Sequence, residues 1–565
     1  MNYIKKNKLL WPILLVGFLA HMAMIFSSGT NWCYADKCGL YFFGIHGTDS
    51  VWHLALSAVS FQHWPFRLPV YAGASLGGYN YLMDLIIYIF SKLGLPIVVT
   101  FFKIFPVFWF IFYTSSAIRL SRLIHDSKLF VAIMLLLSYF CGSLAYIYTF
   151  WHHGTLWGSS GLAALQALHA LANMQYAFSL VILMEVLIIL IKDRIEMKEF
   201  LLLSILLFLA VSTKFYGGVI TVFIVGLFLL TKIVPFRKES MKVIGYSIVL
   251  LFVTAVTVVI FYNPAGSSKT GAIFSFIPLA TVHPTLESSE LFYFPDLVNA
   301  RYTLQGSFGP RLAYIETLTL IAFLIGNFGV RVLGVLYFLK NAALKKAKKW
   351  EILVFFTIIF ATLLNILLVQ KGEWWNTVQF LYYGIFLSTI FLGQFLYSLM
   401  QNKNKVLVTA AFLIILISLP INIDLMGQYN GVKSFNYIPQ KELDALNYLK
   451  KQPDGVVFQP LYDTKVTEKY SAPYPMFANA DNAYVAAFSK KQVYYSTNVQ
   501  IRLVGVDYIK RLERLQQLDC DEMNSVKYAY IVTAYRDNFF TKCIEGNKDF
   551  IVGFKNEEVR VYKRK

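Results

Sequence analysis

The stretch HGTDSVWHLALSAVSFQHWPFRLPVYAGASLGGYNYLMDLIIYIFSKLG, residues 46–94, decides the fold, because it separates two long apolar segments and carries both polar and apolar patterns. Asp49 stands near its start, and His53 follows four residues later. If the segment from Ser50 onward is helical, this spacing places both side chains on one face. The apolar residues Val51, Leu54, Leu56 and Val59 predict a helix that lies along a membrane interface. We interpret the apolar run 82–93 as a second surface helix.

The composition shows which solvent the chain needs. Of 565 residues, 57% are hydrophobic and only 15% are charged. A soluble core could not bury so much apolar surface, so lipid must solvate much of the chain. The net charge is +19, but the basic residues form short clusters between apolar runs. This pattern is typical of membrane topology and argues against nucleic acid as a partner.

Eleven apolar segments are long enough to cross about 30 Å of hydrocarbon, which takes about 20 helical residues. They span 9–27, 96–118, 129–149, 175–191, 199–213, 217–231, 243–262, 315–339, 352–370, 378–399 and 406–424. Lys and Arg collect in every second loop, as spanning segments require. These basic residues are Lys5, Lys6, Lys8, Arg119, Arg122, Lys128, Lys192, Arg194, Lys198, Lys232, Arg237, Lys238, Lys242, Lys340, Lys345, Lys346, Lys348, Lys349, Lys403 and Lys405.

This alternation predicts a cytoplasmic N-terminus and an exterior C-terminus. Counting 82–93 as a span would reverse all later loops, so we leave it out. The predicted fold is an α-helical, multi-pass protein of the plasma (inner) membrane, with domain 1–425 and a small extracytoplasmic α/β domain, 436–565. The outer loops of the first domain are 28–95, 150–174 and 263–314. Cys33 with Cys38, and Cys520 with Cys543, are candidate local disulfides on the oxidising side.

The C-terminal region predicts an α/β domain from local patterns. Leucines at helical spacing in 440–451 predict a helix, and the apolar run 456–458 after Gly455 predicts a strand. Residues 528–533 and 550–562 also read as strands, and the second of these forms a hairpin.

Asp49 is the main candidate for chemistry. A carboxylate at the membrane rim can act as a general base if a neighbour orients it, and His53 could do so. The alternative is that Asp49 only caps the helix that begins here, because Thr48, Asp49 and Ser50 are all good capping residues.

The layout resembles the GT-C fold of glycosyltransferases. It has a first span, an outer loop with an acidic residue near its start, surface helices, a second span ending in basic residues, and an outer soluble tail. The residues that resemble the branch of protein mannosyltransferases and aminoarabinose transferases are Asp49, Trp52, His53, Pro69, Gly73, Tyr79, Tyr81 and Asp84. The sequence lacks the paired Asp-Glu of protein mannosyltransferases and the Asp-x-Asp of oligosaccharyltransferases.

The resemblance implies an inverting transfer of a sugar from a polyprenyl-phosphate donor to an acceptor hydroxyl, with Asp49 as base. Asp84 is then a candidate for substrate binding. A cation should stabilise the departing phosphate. We expect Lys214 in this role, with Arg301 and Arg311 as rivals; alternatively, Lys214 only extends to lipid headgroups.

Other charged residues have simpler explanations. Glu287, Glu290 and Asp296 could bind an acceptor or a metal, although we favour a solvated face as their explanation. Glu185 and Arg331 fall inside spans. Such residues usually face the bundle interior, so we expect a structural role and treat them as candidate partners of each other.

Two other functions compete with sugar transfer. A transporter or flippase of a lipid-linked envelope component should show paired, interrupted helices in related halves, which the sequence lacks. A non-catalytic envelope-assembly protein of the same ancestry is the third alternative. The predicted partners are the lipid-phosphate sugar, membrane lipids and a lipid, glycan or protein acceptor. No cofactor is required by the residues, and a divalent cation stays open.

Overall fold

The computed structural model describes residues 8, 10–158, 164–234, 238–263, 273–287, 294–306, 308–370, 373–402 and 404–565. The chain divides into two compact units. We call the first the helical unit; it consists of Met1–Met24, Phe108–Val258 and Ile273–Gln428. We call the second the mixed unit; it consists of Ile25–Val107, Val259–Ala272 and Tyr429–Lys565. Lys5, Lys6, Arg237, Lys403 and Glu290 lie outside the described residues.

Among the described residues, eight helices are long and apolar enough to cross a membrane, or nine if one bent pair counts as a single span. The eight are Ile97–Ile124, Met174–Ile191, Phe215–Ile233, Ser240–Tyr262, Pro310–Phe328, Lys349–Leu367, Trp374–Met400 and Lys405–Asn430. The bent pair is Lys128–Phe140 with Ala145–His153, at 48°. The protein is therefore a multi-pass membrane protein.

Eleven segments were expected to span, and every one of them is helical in the structure. The three beyond the eight are the bent pair and two shorter helices, Leu10–Ala23 and Met197–Thr213. Predicted segment 315–339 divides at Gly329 into Pro310–Phe328 and Arg331–Ala343. Short elements complete the helical unit: helices Val282–Glu287 and Pro295–Leu304, and strands Phe274–Phe276 and Leu368–Gln370. The count of eleven spans and their orientation stay predictions.

The helices of the helical unit bury one side and expose large apolar residues on the other. Leu251 and Phe252 are each 67% exposed on Ser240–Tyr262, as a lipid-facing helix requires. The buried side is closely packed at Gly334, where an added Cβ would lie 2.2 Å from the backbone nitrogen of Leu392. Small residues let membrane helices approach in this way.

The two charged residues inside spans do not pair with each other, so that prediction was wrong. Glu185 accepts a hydrogen bond from Arg119 Nη1 at 2.8 Å. Arg331 is 1% exposed and donates to Thr389 Oγ1 at 2.9 Å and to Gln166 Oε1 at 3.0 Å. It also donates to the carbonyl oxygens of Cys141, Gly142 and Phe328. A buried guanidinium is stable here because polar oxygens surround its donors.

Two four-stranded sheets organise the mixed unit. In the first, the order is Thr30–Tyr34, Lys37–Phe43, Phe435–Pro439 and Tyr474–Pro475. In the second, the order is Val457–Phe458, Tyr528–Val532, Val559–Arg564 and Phe550–Lys555. The first sheet joins the outer segment to the C-terminal region, with Gly39 opposite Pro439. Residues 28–95, which we assigned to domain 1–425, therefore pack with the C-terminal region.

The predicted local elements of the mixed unit are present. The helices are Asp49–Val59, Leu82–Lys92, Gln440–Lys451, Thr464–Thr467, Met476–Asn479, Tyr484–Ser489, Asn498–Leu503, Ile509–Gln516 and Phe539–Gly546. The hairpin Phe550–Lys555 and Val559–Arg564 is antiparallel, as expected. Cys33–Cys38 and Cys520–Cys543 are both disulfides, while Cys141 is free and buried.

Candidate functional site

Asp49 opens the helix Asp49–Val59 and is its only partly exposed residue, since the ten residues that follow are buried. Thr48 occupies the N-cap position, and its hydroxyl donates to the carbonyl oxygen of Ile45 at 3.2 Å. Asp49 is therefore the first residue of the helix rather than its cap. A carboxylate in this position is stabilised by the helix dipole. It also keeps part of its surface available to a reacting group.

His53, one turn further along, contacts a second carboxylate. Its Nδ1 lies 3.0 Å from Asp84 Oδ1 and 3.2 Å from Oδ2. His53 is 1% exposed and Asp84 is fully buried. The His53 ring also lies against Phe101, with centroids 6.4 Å apart, and against Tyr79 at 5.9 Å. Packing and the Asp84 carboxylate together hold the imidazole in one orientation.

The pKa of Asp84 depends on its burial and on the neighbouring His53 and Asp49. Burial raises the pKa of Asp84 above its ordinary value, His53 opposes that rise, and the charge of nearby Asp49 adds to it. We expected His53 to orient Asp49 and expected Asp84 to bind substrate. The structure places His53 against Asp84, and the substrate-binding role of Asp84 stays a prediction. The three residues nevertheless form one cluster, as their common segment predicts.

His46, Tyr79 and Tyr429 border the cluster; Tyr79 is among the residues that carry the sequence resemblance, whereas His46 and Tyr429 were not predicted. His46 is fully buried, and its Nδ1 lies 2.8 Å from Ser50 Oγ. The centre of its ring lies 6.0 Å from the centre of the Tyr429 ring. The rings of Tyr79 and Trp52 are also in contact, with their centres 5.6 Å apart. His46 and Ser50 are four positions apart in the sequence, a spacing that could have predicted the contact between these two polar side chains. Nothing in the local sequence pointed to Tyr429.

Lys214 lies in the helical unit, at the break between Met197–Thr213 and Phe215–Ile233. It is 5% exposed, and its Nζ donates to Asn173 Oδ1 at 3.3 Å. Its Nζ also lies 5.8 Å from the centre of the Tyr216 ring. A lysine that extends to lipid headgroups would expose its ammonium group, so this burial does not favour that alternative.

The two arginines expected near a phosphate have different surroundings in the helical unit. Arg301 forms an ion pair with Glu287 and stacks on Tyr302, 4.7 Å from the ring centre. Arg311 is exposed near the start of Pro310–Phe328, and Asp296 is exposed in the first turn of Pro295–Leu304. Glu287 is thus already neutralised, whereas Arg311 has its charge in solvent.

A resident metal ion would need a set of ligands. Within the described ranges, no group of three or more His, Cys, Asp or Glu side chains could hold one. The candidate site offers Asp49 and a buried carboxylate that His53 already contacts.

Comparison of the whole chain with known proteins gives one informative likeness. No family model matches the sequence, and no curated protein matches it either. The structure is similar to that of an Archaeoglobus fulgidus oligosaccharyltransferase in complex with Zn and sulfate, at 12% identity and a TM-score of 0.50. The match covers 98% of this chain and 73% of that chain.

A second similar structure is ArnT from Cupriavidus metallidurans bound to undecaprenyl phosphate. It is 11% identical, with a TM-score of 0.40, and the match covers 98% of this chain and 96% of that chain. Identities this low indicate a similar fold and nothing further. The chain therefore has a fold similar to that of the Archaeoglobus fulgidus oligosaccharyltransferase, as the sequence resemblance predicts.

Proposed function

We propose that this protein is a glycosyltransferase that moves a sugar from a polyprenyl-phosphate donor to an acceptor hydroxyl on the outer face of the plasma (inner) membrane. The observation that carries the proposal is the partly exposed Asp49 carboxylate beside the buried pair of His53 and Asp84. The similarity of the fold to that of an oligosaccharyltransferase supports this class of reaction. A fold alone does not fix a function, so the proposal rests on the residues of the site.

In the proposed step, Asp49 accepts the proton of the acceptor hydroxyl. The acceptor oxygen then forms a bond to the anomeric carbon from the side opposite the phosphate. The bond between that carbon and the phosphate oxygen breaks, and its electron pair leaves with the polyprenyl phosphate. Attack from the opposite side inverts the anomeric configuration. Proton acceptance by a positioned side chain contributes about 10²–10⁴-fold to such steps.

His53 and Asp84 act as positioning residues in this proposal. A buried imidazole held by a carboxylate has one orientation, and its charge state influences the neighbouring Asp49. Lys214 stays our first candidate for the cation that stabilises the leaving phosphate, ahead of Arg301 and Arg311. Arg301 is the weakest of these candidates, because Glu287 already pairs with it.

The test is sugar transfer by the purified full chain with a panel of polyprenyl-phosphate sugars, comparing the wild type with Asp49→Asn. Loss of transfer in a folded Asp49→Asn variant supports the proposal, and retained transfer removes Asp49 from the mechanism. Lipid flipping in proteoliposomes without any donor sugar would instead favour the transporter alternative.

A further inference from the structure

A cavity of about 300 Å³ lies in the mixed unit, away from the candidate catalytic cluster. Ser57 lines it from the far end of the helix Asp49–Val59. Eight residues separate Ser57 from Asp49, which corresponds to roughly 12 Å along a helix axis. The helix Gln440–Lys451 contributes Lys450 to the same cavity. We call this cavity the lysine pocket.

The charge of the lysine pocket is strongly positive. Four lysines line it: Lys92, Lys450, Lys490 and Lys491. Asp454 is the one acidic residue among the lining side chains that the structure describes. Its Oδ2 lies 2.9 Å from Arg67 Nη1 and 3.2 Å from His63 Nε2. Asp454 therefore shares its charge among Arg67, His63 and Lys491, and the four lysines of the lining outnumber this one carboxylate.

Placing these like charges close together in a partly buried site is energetically unfavourable. Burial lowers the pKa of Lys490, and the charges of Lys450 and Lys92 lower it further. Burial also lowers the pKa of Lys491, whose Nζ donates to the carbonyl oxygen of Gln452 at 2.7 Å. Like charges in a partly buried site disfavour each other, and a bound anion removes that repulsion.

Ser57 gives a second and independent observation. It is fully buried, and among the described residues its Oγ has no hydrogen-bond partner. Buried hydroxyls normally have one, because leaving a polar group unsatisfied costs about 1–3 kcal/mol. A ligand oxygen in the lysine pocket would accept a hydrogen bond from this hydroxyl.

We propose that the lysine pocket binds a phosphate group, held by the ammonium groups of Lys92, Lys450 and Lys490 and by the Ser57 hydroxyl. Phosphate carries up to two negative charges and several acceptor oxygens, which match several lysine donors and one hydroxyl donor. The cavity has room for the phosphate and a small substituent. The same chemistry is present in a free phosphate ester and in a lipid headgroup. This site takes no part in the sugar-transfer step and does not depend on it.

The experiment is a phosphorus NMR titration of the detergent-purified full chain with two probes, inorganic phosphate and dihexanoyl phosphatidic acid. The test variant is Lys450→Gln with Lys490→Gln. The matched control, Lys469→Gln with Lys510→Gln, removes the same charge at exposed positions outside the pocket. Ser57→Ala is a second, milder test variant. Asp49→Asn checks that binding is independent of the proposed catalysis.

We expect binding of at least one probe to the wild type, about tenfold or more weaker binding to the double test variant, and unchanged binding to the control. Ser57→Ala should weaken binding by a smaller factor, and Asp49→Asn should have no effect. Binding of the lipid alone would assign the pocket to a headgroup, whereas binding of inorganic phosphate alone would assign it to a soluble ligand. Failure of both probes to bind the wild type, or equal losses in test and control variants, would overturn the proposal.

Discussion

His53 Nδ1 lies 3.0 Å from Asp84 Oδ1, and both side chains are almost completely buried. This contact joins the helices Asp49–Val59 and Leu82–Lys92 through two residues that are 31 positions apart in the chain. Asp49 lies one helical turn before His53, on the partly exposed end of the first of these helices. The two acidic residues therefore differ in exposure, because Asp49 is partly exposed and Asp84 is fully buried beside the histidine.

Replacing the exposed carboxylate tests its role as the base. We expect Asp49→Asn to reduce kcat for sugar transfer by about 10²–10⁴-fold, because the amide cannot accept the acceptor's proton. Asp36→Asn, a change of the same kind in the turn before Lys37–Phe43, should leave kcat unchanged. Equal activity of the two variants would contradict the assignment.

The buried pair should behave as a coupled unit. Removing one partner of a buried hydrogen-bonded pair takes that bond away from the other, which typically costs about 1–3 kcal/mol. We therefore expect His53→Gln and Asp84→Asn each to lower the free energy of unfolding markedly, and the double variant to lose less than the sum of the two. A double-mutant cycle from denaturant unfolding in detergent measures this coupling.

The same pair should also influence catalysis through Asp49. In variants that stay folded, we expect Asp84→Asn to shift the pH profile of kcat, since the charge next to Asp49 changes. A purely structural role would lower the amount of folded enzyme without moving the profile.

Glu442 makes the stability of the mixed unit sensitive to pH. It is fully buried, and Tyr530 and Tyr484 donate hydrogen bonds to its Oε2 at 2.6 and 3.0 Å. Burial raises the pKa of Glu442 from 4.5 to about 8, although the two tyrosines oppose this. The folded state thus binds the proton more tightly than the unfolded state, so the contribution of Glu442 to stability is full below pH 4.5 and is lost as the pH rises toward 8.

We expect the free energy of unfolding to fall by about 2–4 kcal/mol across that range. Glu442→Gln cannot titrate and should flatten this part of the pH dependence. Glu468→Gln, at an exposed position, should leave the slope as in the wild type. Denaturant unfolding at several pH values makes the comparison, and an unchanged slope in Glu442→Gln would refute the assignment.

Sidedness can be tested with single cysteines. The native free thiol, Cys141, is buried, so the background labelling should be low. We expect a membrane-impermeant maleimide to label Glu557→Cys, whose wild-type side chain is 80% exposed, in intact cells. Lys192→Cys, in a predicted cytoplasmic loop, should react only after permeabilisation. The reverse pattern would place the mixed unit and Asp49 on the cytoplasmic side.

Local patterns predicted much of the architecture. The apolar segments became helices because a chain solvated by lipid must satisfy its backbone hydrogen bonds within each segment. The helix that starts at Asp49 and the helix Gln440–Lys451 followed from residue spacing. Both disulfides join cysteines that are close in sequence, so few alternatives competed with them.

Only the tertiary structure determined which residues that are distant in the sequence contact each other. The sequence placed His53 one turn from Asp49, but only packing could bring Asp84 against His53. Arg331 binds carbonyl oxygens and polar side chains from several segments, whereas charge matching had pointed to Glu185. The physical reason is that periodicity fixes which side of an element a residue faces, while a hydrogen bond needs two atoms within about 3 Å. That distance is set only when separate elements pack together.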